Sequence, residues 1–357
     1  MQFVESKDLR PGMRLAKPIY NKNGVLLYER DTRLSVQVIN NIQNFMLIGV
    51  YILEPAEPLP PLTQEDLEFE RFQIQAVSAI EEEQDRILKT RKQNRTQSIA
   101  DMVIRNYGHL DEKINFYQNL RSREDYFSRH SLNVAILCAM ITHVMNIRRE
   151  EQYHTVCAAI LHDMGKVKKH DDVYYGAPYT REDMLRNCET QEEAYGIIEE
   201  AFATDGSGIR RICQQAARKQ LDLFPEDGEK SRYKMLAGAN VLLVANRYDE
   251  ITAMTLQGTA QSEVKALQEL LEYPEVYDPE TVRALIRSIN ILPPGASVEL
   301  STGEKALVLN ENEENVLRPT VVSFRDNSIL DLSLPGNEDI QIVDVMKTMD
   351  NRYIFNK

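Results

Sequence analysis

A histidine and an aspartate stand side by side near the middle of the chain. His162 and Asp163 follow an apolar run over 156–161 and are followed by Gly165 and Lys166. An imidazole and a carboxylate can bind one divalent cation together if the backbone turns at a helix end, and the Gly-Lys pair suits such an end. A structural role is the alternative, with His162 as a partly buried histidine and Asp163 as an acceptor at a helix end. Taken alone, the pair leaves both interpretations open.

A second histidine lies at the start of another apolar segment. His130 precedes residues 132–147, whose apolar side chains recur at the spacing of a helix. His162 ends the apolar run over 156–161. Two core helices that each present a histidine at one end can hold a metal ion between them. The sequence therefore predicts a metal site between two helices of an all-α domain.

Three short segments occur in an order that a known family shares. They are His-Ser-Leu-Asn-Val-Ala over 130–135, Ala-Ile-Leu-His-Asp-Met-Gly-Lys over 159–166 and Val-Ala-Asn-Arg-Tyr-Asp-Glu over 244–250. The chain resembles the HD superfamily of metal-dependent phosphohydrolases, and more narrowly its HD-GYP branch, whose active members hydrolyse cyclic di-GMP. The resemblance extends over 125–290 and implies an HD-type helical bundle.

The resemblance also implies roles for individual residues. Metal ligands are expected at His130, His162 and Asp163, and Lys166 stands where the family has a cation that faces the phosphate. Asn246 occupies the position of a further aspartate ligand, while the second aspartate of that segment is retained as Asp249, a possible fourth ligand. An amide keeps an oxygen donor but removes a full negative charge, which lowers the affinity for a dication.

Three further histidines of the family have no counterpart in this chain. All six histidines of the sequence lie at or before His170. Residues 189–193 stand where the first missing histidine is expected, and Ala216 and Ala217 stand where an adjacent pair is expected. Asp-Leu-Phe-Pro over 222–225 replaces the Gly-Tyr-Pro loop. The site is therefore predicted to keep one corner of its ligand set and to lack the rest.

Two functions follow from this ligand set. Phosphodiester hydrolysis at a two-metal site needs about six to eight protein ligands, more than this chain offers. The first hypothesis is therefore a protein that has lost turnover and acts in signalling by binding a protein partner or cyclic di-GMP. The second is a metal-dependent cyclic di-GMP phosphodiesterase with a ligand-poor site, in which Lys166 and Asp163 would be catalytic. No cofactor is expected; if one binds, it is a divalent transition metal, Fe or Mn.

Composition excludes several other classes of partner. The net charge of −13 disfavours DNA and RNA, whose phosphates would be repelled. No run approaches the length of about 18 apolar residues that a membrane helix needs, and no signal pattern begins the sequence, so we expect a cytoplasmic protein without membrane insertion. The four cysteines are widely spaced and are expected to be reduced thiols.

The predicted fold is mainly α with small flanking domains. A mixed α+β module over 1–55, a Pro-rich linker over 56–64 and a helical connector over 65–120 precede the HD-GYP-like domain over 121–290. Short alternating segments over 291–357 predict an antiparallel β domain. The module over 1–55 is either an interaction or regulatory element or a packing cap.

Some local features of the flanking regions carry predictions of their own. The apolar stripe of the helix over 65–95 fits either a dimerising coiled coil or docking against the chain's own core. Helix is expected to continue over 98–120. Asn23-Gly24 predicts a tight hairpin. The tyrosines of 173–181 either stack on a guanine base or pack within their own loop.

Overall fold

A computed structural model describes residues 2–21, 24–53, 64–116, 118, 120–168, 180–202, 204–225, 234–253 and 260–345. Nearly all of the predicted Pro-rich linker and the tyrosines at 174, 175 and 179 lie outside these ranges.

The N-terminal module combines two small antiparallel sheets with one helix. Its five strands are β1 (Gln2–Glu5), β2 (Arg14–Leu15), β3 (Ile19–Tyr20), β4 (Leu26–Tyr28) and β5 (Gly49–Leu53). The first sheet has the order β1-β5-β2, and β3 pairs with β4. Gly24 precedes β4 with a φ of +74°, the left-handed conformation that glycine adopts without strain. The helix α1 (Val36–Asn44) is capped by the Ser35 side chain, which accepts from the Val38 amide.

The central part of the chain is helical. Its helices are α2 (Gln64–Thr90), α3 (Thr96–Tyr107), α4 (Tyr126–Val144), α5 (Arg149–Leu161), α6 (Met164–Lys168), α7 (Arg181–Ala201), α8 (Gly206–Gln220), α9 (Ala237–Thr252), α10 (Glu263–Glu272) and α11 (Pro279–Ser288). α4 is buried on every side between residues 130 and 142. It packs against α2, α3, α5, α9 and α11. A helix that is apolar all round is expected in this central position.

The apolar stripe of α2 is covered by the chain itself. Ala76, Ile80 and Ile87 are fully buried and belong to the same core cluster as α4. Of the two alternatives for this apolar stripe, the structure therefore shows docking against the chain's own helices. The homodimer predicted through the helix over 65–95 would have to use another of its faces.

The helix predicted over 98–120 is shorter in the structure. α3 ends at Tyr107, and Gly108 follows as its C-terminal cap. Beyond it the chain runs in irregular structure, in which Ile114 forms a parallel bridge with Ile289. In the described part of this segment, an isolated backbone bridge takes the place of helical hydrogen bonding.

The C-terminal region is an antiparallel sheet. Its strands are β6 (Ser297–Leu300), β7 (Lys305–Asn310), β8 (Thr320–Ser323), β9 (Ile329–Asp331) and β10 (Ile342–Val345), in the order β10-β6-β7-β8-β9. Val298, Val308 and Val321 on its inner face are buried in one continuous core with the helices. The predicted fold class, mainly α with flanking α+β and β regions, is confirmed. Within the described ranges, the structure contains no helix that is both long and apolar enough to span a membrane.

Candidate metal centre

Three helices bring the predicted ligands together. His130 lies in the second turn of α4, and His162 and Asp163 form the turn between α5 and α6. One ligand atom from each of these three residues lies within 4.8 Å of the others, and all three side chains are buried. Asn246 reaches the same point from α9, because its Oδ1 atom lies 2.9 Å from the Nε2 atoms of both His130 and His162.

The imidazoles of His130 and His162 face each other through their Nε2 atoms. Their Nε2 atoms are 3.2 Å apart. The Nδ1 atom of His130 lies 2.6 Å from Asp249 Oδ2, and that of His162 lies 2.8 Å from the Ala159 carbonyl oxygen. A carboxylate and a carbonyl only accept, so each Nδ1 carries the proton and donates it. In the neutral tautomers, both Nε2 atoms are therefore bare acceptors. Burial lowers the pKa of His162, which favours its neutral form.

The amide of Asn246 adds a third acceptor to this pair. Its Nδ2 group donates to Glu250 Oε1 at 3.1 Å, which turns the Oδ1 atom toward the imidazoles. Three lone-pair atoms thus converge at 2.9 to 3.2 Å. Two ligands that bind a cation at right angles, each about 2.1 Å from it, are about 3.0 Å apart. The donor set therefore fits one divalent cation held by His130, His162 and Asn246.

Asp163 lies beside this point but is engaged by other groups. Its carboxylate oxygens are 2.9 and 3.1 Å from the Lys166 ammonium, and Gln191 Nε2 donates to it at 3.0 Å. The distances to the Nε2 atoms of His130 and His162 are longer, 3.6 and 3.7 Å. Burial is the largest influence on Asp163 and opposes its ionisation, but the opposing interactions, led by the charge of Lys166, together hold the pKa of the carboxyl below its usual range. The negative charge that would attract a cation is therefore already balanced by Lys166.

Asp249 lies behind His130 and not beside the converging atoms. It accepts from His130 Nδ1, from Arg121 at 2.6 and 2.8 Å and from Asn133 at 2.9 Å. Burial disfavours its charge, but the interactions with Arg121 and His130 together outweigh that effect, so the pKa of Asp249 lies below the usual range. In this arrangement Asp249 orients the first imidazole. Asp249, predicted as a possible fourth ligand, therefore contacts the ligand His130 from behind and does not face the converging atoms.

Gly165 has a different role from the one expected from sequence. It lies inside α6 and does not end a helix. A Cβ atom at this position would lie 2.3 Å from the Thr190 carbonyl oxygen and 2.8 Å from Gln191 Cα, both on α7. The absence of a side chain allows α6 to touch α7, and the Gly165 amide donates to Gln191 Oε1 at 2.7 Å. Gln191 thereby ties the His-Asp turn to α7.

A narrow cavity of about 40 Å³ opens beside His162, Asp163 and Lys166. α7 lines it with Met184 and Cys188, and α8 lines it with Ala216 and Ala217. These helices carry the positions where further histidines are expected from the family resemblance. Among the cavity-lining residues that the structure describes, Glu250 is the one carboxylate besides Asp163, and it accepts from three donors.

Three residues of the centre were not predicted from the sequence. The Asp249 carboxylate accepts from Arg121, and the Asp163 carboxylate accepts from Gln191. Glu250 accepts from the Asn246 amide. Arg121 and Gln191 act over separations of 128 and 28 residues, which no local pattern reveals. Glu250 lies one helical turn after Asn246, so its spacing was the one available signal.

A comparison with known protein families matches the part of the chain that contains this site. The model of the HD domain matches residues 127–251, which contain His130, His162, Asp163 and Asn246. Residues 127–251 of the chain are therefore an HD-type domain.

A curated relative identifies a more specific likeness. The chain is 22% identical over 215 residues to the cyclic di-GMP phosphodiesterase PA4108 of Pseudomonas aeruginosa, and the match covers 57% of this chain and 49% of that protein. The matched region thus spans about half the length of the curated relative. No solved structure matches the chain significantly.

Proposed function

We propose that this protein is a degenerate HD-GYP protein that does not hydrolyse cyclic di-GMP and acts in signalling related to that dinucleotide by binding. Its ligand is a protein partner or cyclic di-GMP itself. The likeness to a cyclic di-GMP phosphodiesterase supports the connection with that dinucleotide. The composition of the metal centre supports the loss of turnover.

One observation carries the proposal. Among the described residues, the atoms that converge on one point are two imidazole nitrogens and an amide oxygen, and the Asp163 carboxylate lies within 4.8 Å of ligand atoms of both imidazoles. That carboxylate, Asp163, is paired with Lys166 and held by Gln191. Such a centre has the donors for one weakly held cation.

Hydrolysis by two metals needs more than this corner supplies. A second cation would require further imidazoles or carboxylates from the walls formed by α7 and α8. Those walls present Met184, Cys188, Ala216 and Ala217 to the cavity. A bound divalent cation would act as a Lewis acid toward phosphate oxygens. With one cation, charge on both the attacking and the leaving oxygen would not be neutralised.

A direct assay of turnover tests the proposal. The purified protein is incubated anaerobically with Fe²⁺ or Mn²⁺ and cyclic di-GMP, and the nucleotides are separated by chromatography. We expect no more linear product than with the matched variant His162→Ala. Linear product that His162→Ala abolishes would establish the alternative, a phosphodiesterase with a ligand-poor site.

Calorimetry then separates the two modes of binding. Titration of cyclic di-GMP into the protein in the presence of EDTA measures whether the dinucleotide binds without metal. Saturable heat would assign the nucleotide as the ligand. A flat titration together with absent turnover would assign the signalling role to a protein partner.

A further inference from the structure

Asn246 and Glu250 form a buried pair on one face of α9. Their exposed fractions are 8% and 7%. The Asn246 Nδ2 group donates to Glu250 Oε1 at 3.1 Å, while its Oδ1 atom lies 2.9 Å from each imidazole nitrogen of the centre. The amide is thus held at both of its ends.

The other oxygen of Glu250 is also engaged. Glu250 Oε2 accepts from Gln220 Nε2 at 3.1 Å and from Arg247 at 3.3 Å. Arg247 in turn is held by Glu269 at 2.6 and 3.1 Å. A buried carboxylate that accepts from two amides and a guanidinium is fixed in position. Glu250 is therefore a rigid acceptor behind the amide.

This acceptor decides which end of the amide faces the imidazoles. An asparagine without it could present either its oxygen or its NH₂ group, because the two ends have the same shape. A carboxylate can only accept, so Glu250 holds the NH₂ end and leaves the oxygen directed at His130 and His162. An inward NH₂ group would instead donate to the imidazoles and leave no ligand atom for a cation.

We propose that Glu250 is a positioning residue of the metal centre, which holds Asn246 with its oxygen toward the imidazoles. Glu250 also places a carboxylate directly behind Asn246, and so supplies the negative charge that the amide ligand lacks. The inference rests on the proposed function in one respect, the capacity of the centre for a single cation. It adds that Asn246 and Glu250 act as one unit. Returning an aspartate to position 246 alone would then not restore the charge of the ligand set.

The chemistry of the pair explains why. An aspartate at 246 would place a second carboxylate about 3 Å from that of Glu250, where two like charges cannot both persist without cost. Exchanging both residues, Asn246→Asp with Glu250→Gln, reverses the hydrogen bond and keeps the net charge. The glutamine NH₂ group would donate to the aspartate, and its oxygen would accept from Gln220 and Arg247. The double exchange moves the negative charge from behind the ligand onto it.

A double-mutant cycle tests this unit in the full-length protein. Thermal unfolding in EDTA is measured for the parent, Asn246→Asp, Glu250→Gln and the double variant. We expect Asn246→Asp to lower Tm by about 3 °C or more and the double variant to recover most of that loss. Asn240→Asp, which adds the same charge to the first turn of α9 away from Glu250, is the matched control and should not lower Tm.

Calorimetric titration with Mn²⁺ gives the second readout. The double variant should bind Mn²⁺ about tenfold more tightly than the parent, and more tightly than Asn246→Asp alone. The inference is overturned if the Tm effects of the two substitutions simply add, or if Asn246→Asp alone is as stable as the parent and binds Mn²⁺ as tightly as the double variant. If none of the proteins binds Mn²⁺, the coupling in EDTA decides the question by itself. Turnover of cyclic di-GMP in the separate assay would overturn the proposed function without affecting this coupling.

Discussion

Removal of the Asp249 carboxylate should destabilise the fold strongly. This carboxylate is fully buried and accepts from Arg121, His130 and Asn133. Arg121 is 1% exposed, so its guanidinium would remain in the interior without its counter-charge after Asp249→Ala. An uncompensated buried charge is among the largest single effects that a substitution can have.

The expected magnitude follows from the burial of both partners. Breaking a buried pair by removing one member costs about 3–5 kcal/mol, whereas a folded domain has a free energy of unfolding of about 5–15 kcal/mol. Arg121 also lies over the Tyr126 ring at 5.1 Å and donates to Gln118, so part of its surroundings would survive. We therefore expect Asp249→Ala to remove about 3 kcal/mol or more.

The pair Arg121→Met and Asp249→Ala completes the test. Methionine fills the space of the arginine stem without a charge, so the double variant should be more stable than Asp249→Ala alone. Urea unfolding followed by circular dichroism would measure the free energy of each protein. A coupling energy of about 2 kcal/mol or more is expected. If the two single losses simply add, within about 0.5 kcal/mol, the buried ion pair does not support the centre as described.

Three other substitutions or modifications give further tests. Gly165→Ala should lower the free energy of unfolding by about 1–3 kcal/mol in urea, because the new Cβ atom meets backbone atoms of α7. Burial raises the pKa of Cys188 to about 11 against the opposing charges of Lys166 and Arg218. At pH 8 the thiolate fraction of Cys188 should therefore be about a hundredth of that of an ordinary exposed thiol. Alkylation of Cys188, followed by mass spectrometry, should become faster as the pH rises toward about 11. Glu83→Ala should cost about 2 kcal/mol or more in thermal unfolding, because the buried Glu83 carboxylate accepts from the amides of residues 94, 95 and 96 at the start of α3.

Each of these tests has a matched comparison. Gly196→Ala lies in α7, where a Cβ atom meets nothing within 4 Å, and should be neutral or stabilising; equal losses at both glycines would contradict the role of Gly165. Urea-unfolded protein gives the reference rate for Cys188, and equally fast modification of the folded protein at pH 8 would show that the thiol is not buried. Glu82→Ala removes an exposed neighbour of Glu83, and a similar Tm for both variants would refute the capping role.

Local sequence rules predicted the small elements well. The hairpin predicted at Asn23-Gly24 agrees with the antiparallel pairing of β3 and β4, although Asn23 itself lies outside the described residues. The helix expected over 98–120 was too long, because its continuation after Gly108 is held by tertiary contacts such as the bridge between Ile114 and Ile289. Periodicity identified elements but could not show where packing replaces it.

The centre was predictable as a set of residue types and not as a set of roles. The resemblance led to His130, His162 and Asp163, which the structure brings within reach of one point. It could not show that Asp249 faces the rear of His130, because that depends on Arg121 from a distant segment. The three-residue spacing of Asp163 and Lys166 allowed an ion pair between them, but the resemblance directed Lys166 toward a phosphate instead.

The number of divalent cations bound per chain distinguishes a one-metal centre from a two-metal centre. The protein is reconstituted anaerobically with excess Fe²⁺ or Mn²⁺, freed of unbound metal and analysed by elemental mass spectrometry, with His162→Ala as the reference. We predict at most one ion per chain above the His162→Ala value, because two imidazoles, one amide and one paired carboxylate cannot hold a second. Two ions per chain that His162→Ala removes would contradict the account.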